Sequence, residues 1–243
     1  PFKLSQIAVI TQVPNMIDTL VKNSILKKVL ERKVLKLKVI NLREYGIGRH
    51  KQIDDTPFGG GGGMILKPEP LFEAIDAAIN WMKDNDDIRI VLPTPIGKFW
   101  NQESAQKLSQ KNKIILICGH YKGIDERVIE QYVTDQYSIG DFIMTSGEIP
   151  AMIILDSIVR LIPGALNNLE SVLNDSFSHY LLDHPHYTNP REFRGECVPD
   201  ILLNGNHKYI DQWRLDHRER RTMNSRPELW KKYIQIKESE RKK

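Results

Sequence analysis

Residues 117–164 read ICGHYKGIDERVIEQYVTDQYSIGDFIMTSGEIPAMIILDSIVRLIPG. The stretch strings together the end of an apolar strand, two glycine-bearing turns and an apolar helix. Glycine turns let a backbone come within hydrogen-bonding distance of a ligand, because no Cβ intervenes. A binding site written as loops at strand ends points to an enzyme rather than a scaffold.

Working outward, strand and helix patterns alternate. Gln6–Thr11, Ile88–Leu92 and Ile114–Cys118 are short, nearly continuous apolar runs, as expected of strands buried on both faces. Val34–Leu42 alternates Leu/Val with Lys and reads as a further strand, and Phe142–Met144 as a short one. Helical spacing runs from an Asn15 cap to about Arg32, then over Glu69–Lys83, Gln102–Gln110, Asp125–Tyr132 and Glu148–Ile162. The alternation predicts an α/β domain with a mostly parallel sheet.

After Pro163–Gly164 the pattern stops. Residues 165–176 are polar and weakly periodic and read as a linker. His179–Pro199 is rich in His and Pro and reads as irregular. Asp211–Arg221 and Arg226–Lys237 read as two helices of a small C-terminal domain. The division is therefore 1–164, 165–176 and 177–243.

The 243 residues suffice for a substantial core and are 40% hydrophobic and 27% charged, ordinary for a globular protein. The net charge of +4 conceals an asymmetry. His207–Lys243 holds 12 Lys+Arg against 6 Asp+Glu, a balance of +6, so the rest carries −2. A concentrated basic segment fits a nucleic-acid partner, and equally a solvated helix face. No apolar run approaches the roughly 18 residues of a membrane helix. The two cysteines, Cys118 and Cys197, suggest a reducing compartment, with Cys118 as a core thiol.

Three segments follow successive strands: Leu92–Gly97 (LPTPIG), Gly119–Gly123 (GHYKG) and Ser138–Gly147 (SIGDFIMTSG). In open parallel sheets ligands bind beyond the carboxyl ends of the strands, so the three predict one pocket. The usual phosphate-binding signatures are absent. Asp54–Phe58 followed by five glycines reads either as a floppy tip or as a loop that lies against a flat ligand. Taken alone, Asp175 reads as a helix cap, Arg160 as the i,i+4 partner of Asp156, and Glu148 as a first-turn carboxylate suited to the helix dipole. His179, His184 and His186 lack a Cys or carboxylate set at ligand spacing, so no metal site is expected there.

Several long motifs, in order, resemble the bacterial tRNA (guanine-N1)-methyltransferases that modify G37, next to the anticodon. They are DDTPFGGGGGMILKPEP (54–70), ICGHYKGIDERV (117–128), SIGDFIMTSGEIPAM (138–152), RLIPG (160–164), NDSF (174–177), LLDHPHYTNP (181–190) and LLNGNH (202–207). The resemblance covers nearly the whole chain. It implies a SPOUT-type α/β fold with a deep trefoil knot, a C-terminal helical domain, a homodimer, tRNA as substrate and a cytoplasmic setting.

It also implies that S-adenosylmethionine is held by Thr94, Pro95, Gly97, Gly119, Tyr121, Gly123, Ser138, Ile139, Gly140, Asp141, Phe142, Ile143, Met144, Gly147 and Pro150. Asp175 matches the family's general base, and Arg160 the arginine that stabilises charge on guanine O6. Asp54, Gly59, Gly63 and Asp183 match substrate-binding positions. Lys122 stands where the family commonly has an acidic residue, which leaves a role for Mg2+ open, and Ser146 stands where glycine is usual. Two other readings fit the loops: a knotted methyltransferase acting on a different RNA nucleotide, and a non-catalytic RNA-binding protein of the same fold.

Overall fold

The computed structural model describes residues 5–23, 25–83, 87–166 and 175–241. The chain divides into two compact units, residues 1–167 and 168–243. Residues 167–174, within the stretch read as a linker, lie outside the described residues.

The first unit is built on a five-stranded sheet. Its strands are β1 (Ser5–Thr11), β2 (Leu35–Asn41), β5 (Ile88–Phe99), β6 (Lys113–Ile117) and β7 (Asp135–Ser138). They lie in the order β2-β1-β6-β5-β7, and every neighbouring pair is parallel. The short strands β3 (Asp54–Asp55) and β4 (Ile65–Leu66) pair antiparallel on either side of the glycine run. The helices of this unit are α1 (Pro14–Asn23), α2 (Ile25–Glu31), α3 (Pro68–Met82), α4 (Gln102–Ser109), α5 (Glu126–Tyr132) and α6 (Glu148–Val159).

Successive side chains of a strand point to opposite faces, and the core divides accordingly. Ile7 and Val9 of β1, Val91 of β5, and Ile114 and Leu116 of β6 pack on one side with Ile154, Leu155 and Ile158 of α6. Ala8, Ile10, Ile90, Leu92, Ile115 and Ile117 pack on the other with Leu71, Ala74, Ile75 and Ala78 of α3 and Val128 of α5. A sheet covered on both faces requires apolar residues at every position of its central strands. That is why their sequences show runs rather than alternation.

Three elements differ from the sequence reading. Phe142–Met144 is not a strand; it lies in an irregular loop, and the strand at that edge is Asp135–Ser138. The strand is held there by Arg89, whose Nε and Nη2 donate to the two Asp135 carboxylate oxygens, each at 2.8 Å. The first helix begins at Pro14, not behind an Asn15 cap. Proline suits a first helical position, where its missing N–H costs nothing. Helical structure over 14–31 forms two segments, α1 and α2, with Ser24 between them outside the described residues.

The second unit contains α7 (His207–Ser225) and α8 (Pro227–Arg241), both longer than their apolar periodicity suggested, and a small hairpin of β8 (Glu192–Phe193) and β9 (Glu196–Cys197). Its segment Leu181–Asp183 docks on α7. The Leu182 N–H donates to Thr222 Oγ1 at 2.8 Å, Arg218 Nε donates to the Leu182 carbonyl at 3.3 Å, and Arg221 Nη1 to the Asp183 carbonyl at 3.2 Å. Part of the arginine content of α7 therefore serves structure.

Candidate methyl-donor site

The first wall of the site is a loop thrown out of β5. Pro93 and Lys98 both pair with Tyr137 of β7, so Thr94–Gly97 bulges away from the ladder. Gly97 is needed at the return, because a Cβ there would sit 2.4 Å from the Tyr137 backbone nitrogen.

The second wall, Gly119–Gly123, leaves the end of β6. Tyr121 is its left-handed residue, at φ 58°, and Gly123 lies at φ 137°. The third wall runs from Ser138 to Gly147. The Ser138 hydroxyl bonds the backbone of Gly140, and the Phe142 ring lies over Gly140 where a side chain would otherwise stand. Walls two and three meet directly. The Gly147 N–H donates to the Gly119 carbonyl at 2.8 Å, and a Cβ on Gly147 would lie 2.5 Å from the Gly119 nitrogen and oxygen.

Together the walls enclose a cavity of about 570 Å³, within the usual range for a small-molecule site. Of the residues matched to donor binding, Thr94, Pro95, Gly119, Tyr121, Gly123, Ser138, Ile139, Gly140, Phe142, Ile143, Met144, Gly147 and Pro150 line it. Gly97 and Asp141 do not; Gly97 acts behind the wall, against Tyr137. The lining also includes His120, Ile124, Glu126 and Tyr137, which sequence reasoning did not single out. His120 and Glu126 lie inside the motif of residues 117–128, but no spacing rule marked them.

A buried polar network backs the site. Glu148, at the start of α6, is fully buried. Its Oε1 accepts from the Thr11 hydroxyl at 2.6 Å, and its Oε2 lies 2.6 Å from His120 Nε2. Burial opposes the charge of Glu148, but the hydrogen bonds from His120 and Thr11 outweigh it and hold the carboxyl below the usual carboxylate range. Cys118 is the core thiol expected. Burial first, then the Glu148 charge, pushes its acidity well out of the reactive range.

The glycine run joins the second wall. Lys122 N–H donates to the Met64 carbonyl, and Leu66 N–H to the Gly123 carbonyl, each at 3.1 Å. Lys122 lines the cavity, yet its stem lies along the glycines. A Cβ on Gly63 would be 3.1 Å from Lys122 Cγ, and one on Gly61 3.6 Å from its Nζ. Gly59, Gly60, Gly61 and Gly63 all have left-handed φ, from 82° to 104°, so the run is shaped by its glycines. Asp54 sits in β3, opposite Leu66.

Arg160 caps α6, its backbone N–H bonded to the carbonyls of Asp156 and Ile158. Asp175 and Asp183 belong to the second unit. The Asp175 carbonyl accepts from the Ser178 N–H at 3.2 Å, and the Asp183 N–H donates to the Ser176 hydroxyl at 3.0 Å. Asp183 also supplies the carboxylate that its neighbouring histidines lacked on paper. Ligand atoms of Asp183, His184 and His186 lie within 4.8 Å of one another. Among the described residues no helix is long and apolar enough to cross a membrane.

A family model described as tRNA (Guanine-1)-methyltransferase TrmD matches residues 5–232. The tRNA (guanine-N(1)-)-methyltransferase of Staphylococcus carnosus strain TM300 is 48% identical over 232 residues, 96% of this chain and 93% of the relative. The protein of the same name from Listeria monocytogenes strain EGD-e is 46% identical over 228 residues, 94% of this chain and 93% of the relative. Matched over nearly its whole length, with its glycine loops gathered round one cavity, the chain belongs to the tRNA (Guanine-1)-methyltransferase TrmD family.

Proposed function

We propose that this protein transfers a methyl group from S-adenosylmethionine to N1 of guanosine 37 in tRNA, with Asp175 as general base and Arg160 stabilising charge on guanine O6. The observation that carries the reading is the cavity walled by the bulge of β5 and by the loops that follow β6 and β7, the latter two lying within the motifs that match the family.

The residues present suit the donor. The close backbone approach of Gly119 and Gly147 makes a narrow cradle, Ile139, Phe142 and Pro150 offer apolar surface, and the buried Glu148 carboxylate favours a positive charge nearby. When bound, S-adenosylmethionine supplies an electrophilic methyl on a sulfonium.

The chain's own residues do the rest. Guanine N1 carries a proton at neutral pH, so a carboxylate must accept it as the nitrogen attacks. The charge then spreads to O6, where a guanidinium stabilises it. Arg160→Lys keeps the charge but loses the planar fork. It is expected to lower the single-turnover rate about tenfold with donor affinity unchanged, as read by rapid quench and calorimetry.

Residues 177–243 form the tRNA-binding part in this reading, joined through residues 165–176 to the donor-binding part, residues 1–164. Lys208, Arg220, Lys231 and Lys232 are exposed on α7 and α8 and suit phosphate contacts. Raising salt from about 50 to 200 mM is expected to weaken tRNA binding at least about tenfold, measured by fluorescence anisotropy.

A homodimer is supported by α6, which is apolar nearly all round. Ile154, Leu155 and Ile158 face the core while Ile149 and Ile153 stay exposed, and such a helix is normally covered. A cytoplasmic setting follows from the substrate. A need for Mg2+ is decided by chelation of the purified enzyme.

The direct test supplies labelled donor to tRNA transcripts carrying G37 or A37. Label on the first alone is the expected result. Donor binding without transfer to G37 would overturn the assignment.

A further inference from the structure

Glu148 is the only fully buried carboxylate among the described residues. Burying a charge is costly unless it is paired and hydrogen-bonded. Its partners are fixed: Thr11 Oγ1 donates to one oxygen, and His120 Nε2 lies 2.6 Å from the other. A carboxylate only accepts, so Nε2 carries the hydrogen. The side chain of His120 is 9% exposed, and it lines the donor cavity. Gly147, which precedes Glu148, and Pro150, two residues after it, line the cavity as well. The negative charge therefore stands one side chain behind the cavity wall, shielded from water.

We propose that Glu148, acting through His120, lets the donor cavity distinguish a positively charged sulfonium from the uncharged thioether left once the methyl has gone. The inference rests on the S-adenosylmethionine reading above. The two ligands have nearly the same shape, so van der Waals contacts and hydrogen bonds to adenosine cannot separate them. They differ by one charge. At an effective dielectric of about 20, two unit charges about 12 Å apart interact strongly enough to favour the cationic ligand about tenfold. The preference would speed exchange of spent product for fresh donor. Glu148 is a positioning and field-setting residue, and it touches no reacting atom.

Calorimetry on the full-length protein tests this with S-adenosylmethionine and S-adenosylhomocysteine, comparing wild type, Glu148→Gln and Thr11→Ser. Glu148→Gln keeps the shape and loses the charge, so the ratio of the two dissociation constants should fall about tenfold toward unity. Thr11→Ser keeps the hydroxyl that donates to Glu148, and so keeps the charge in place, and should leave the ratio within about twofold. If Glu148→Gln weakens both ligands equally, the residue is merely structural and the proposal is overturned. It is overturned as well if Thr11→Ser, which keeps the charge, abolishes the ratio as Glu148→Gln does.

Should Glu148→Gln not fold, sinefungin decides on the wild type alone, since it carries a protonated amine in place of the sulfonium. It should bind like the donor; a thioether bound as tightly as both cationic ligands would sink the idea. Wild-type protein that binds none of the three refutes the donor reading itself, a result distinct from bound ligands with no charge preference.

Discussion

Asp175→Ala is expected to lower the rate of methyl transfer by about 10²- to 10⁴-fold, the range that a positioned general base contributes, while donor affinity stays within about twofold because the donor-cavity lining is unaltered. Attack on a sulfonium by guanine N1 cannot finish while the nitrogen keeps its hydrogen. Removing the acceptor leaves only water to take it. Single-turnover rates with saturating tRNA read the loss, and calorimetry with the donor alone reads the control. Asp175→Asn sharpens the result, since the amide keeps the size of the side chain but cannot accept the proton. It should be as slow as the alanine variant. Were Asn to retain near-normal rates, Asp175 would have to act as an orienting hydrogen-bond partner and not as a base.

Much of the fold was legible because buried parallel strands have a composition of their own. Ile114–Cys118 could be read as a central strand from its unbroken apolar run, and the core places Ile115 and Ile117 on one face and Ile114 and Leu116 on the other. The edge strand Asp135–Ser138 was missed because it is polar, its Asp135 carboxylate accepting from the side chains of Arg89 and Thr134, and polar edge strands carry no apolar signal. Phe142 and Ile143 gave a false strand signal because their apolar side chains line a cavity and remain 56% and 85% exposed. Sequence periodicity cannot tell apolar residues packed in a core from apolar residues kept for a ligand or a partner.

The site shows the same division. Glycines at turns were visible, since few other residues tolerate the backbone they adopt. The link among Thr11, His120 and Glu148 was not, because it joins residues up to 137 positions apart. Only the return of β1 and β6 as neighbours in one sheet brings the Thr11 and Cys118 ends together, and α6 then starts beside them. Asp183 and its histidines illustrate the opposite case. The three are close in sequence, yet only the local turn shows that the carboxylate completes the group.

Gly147→Ala is expected to weaken donor binding by about 10- to 100-fold, since forcing the two walls apart costs about 1–3 kcal/mol and about 1.4 kcal/mol is tenfold in affinity. Gly147 has an ordinary φ of −79°, so alanine suits the backbone there and strain is not the reason. Space is the reason. The new Cβ would lie 2.5 Å from both the nitrogen and the oxygen of Gly119, and 3.0 Å from the Cys118 carbonyl carbon. Those atoms are backbone, anchored by the Cys118 N–H bond to the Ile10 carbonyl at 2.9 Å and by the Gly147–Gly119 bond itself. No side-chain tip can swing away, so the two walls must part and the cavity between them changes shape. Overpacking of this kind also costs about 1–3 kcal/mol of stability, which thermal unfolding would register. Gly62→Ala is the matching control, because a Cβ there meets nothing within 4 Å and its φ is outside the left-handed range. It should bind donor like the wild type. Equal donor affinity in the Gly147 and Gly62 variants would mean that the contact between the second and third walls does not shape the donor site.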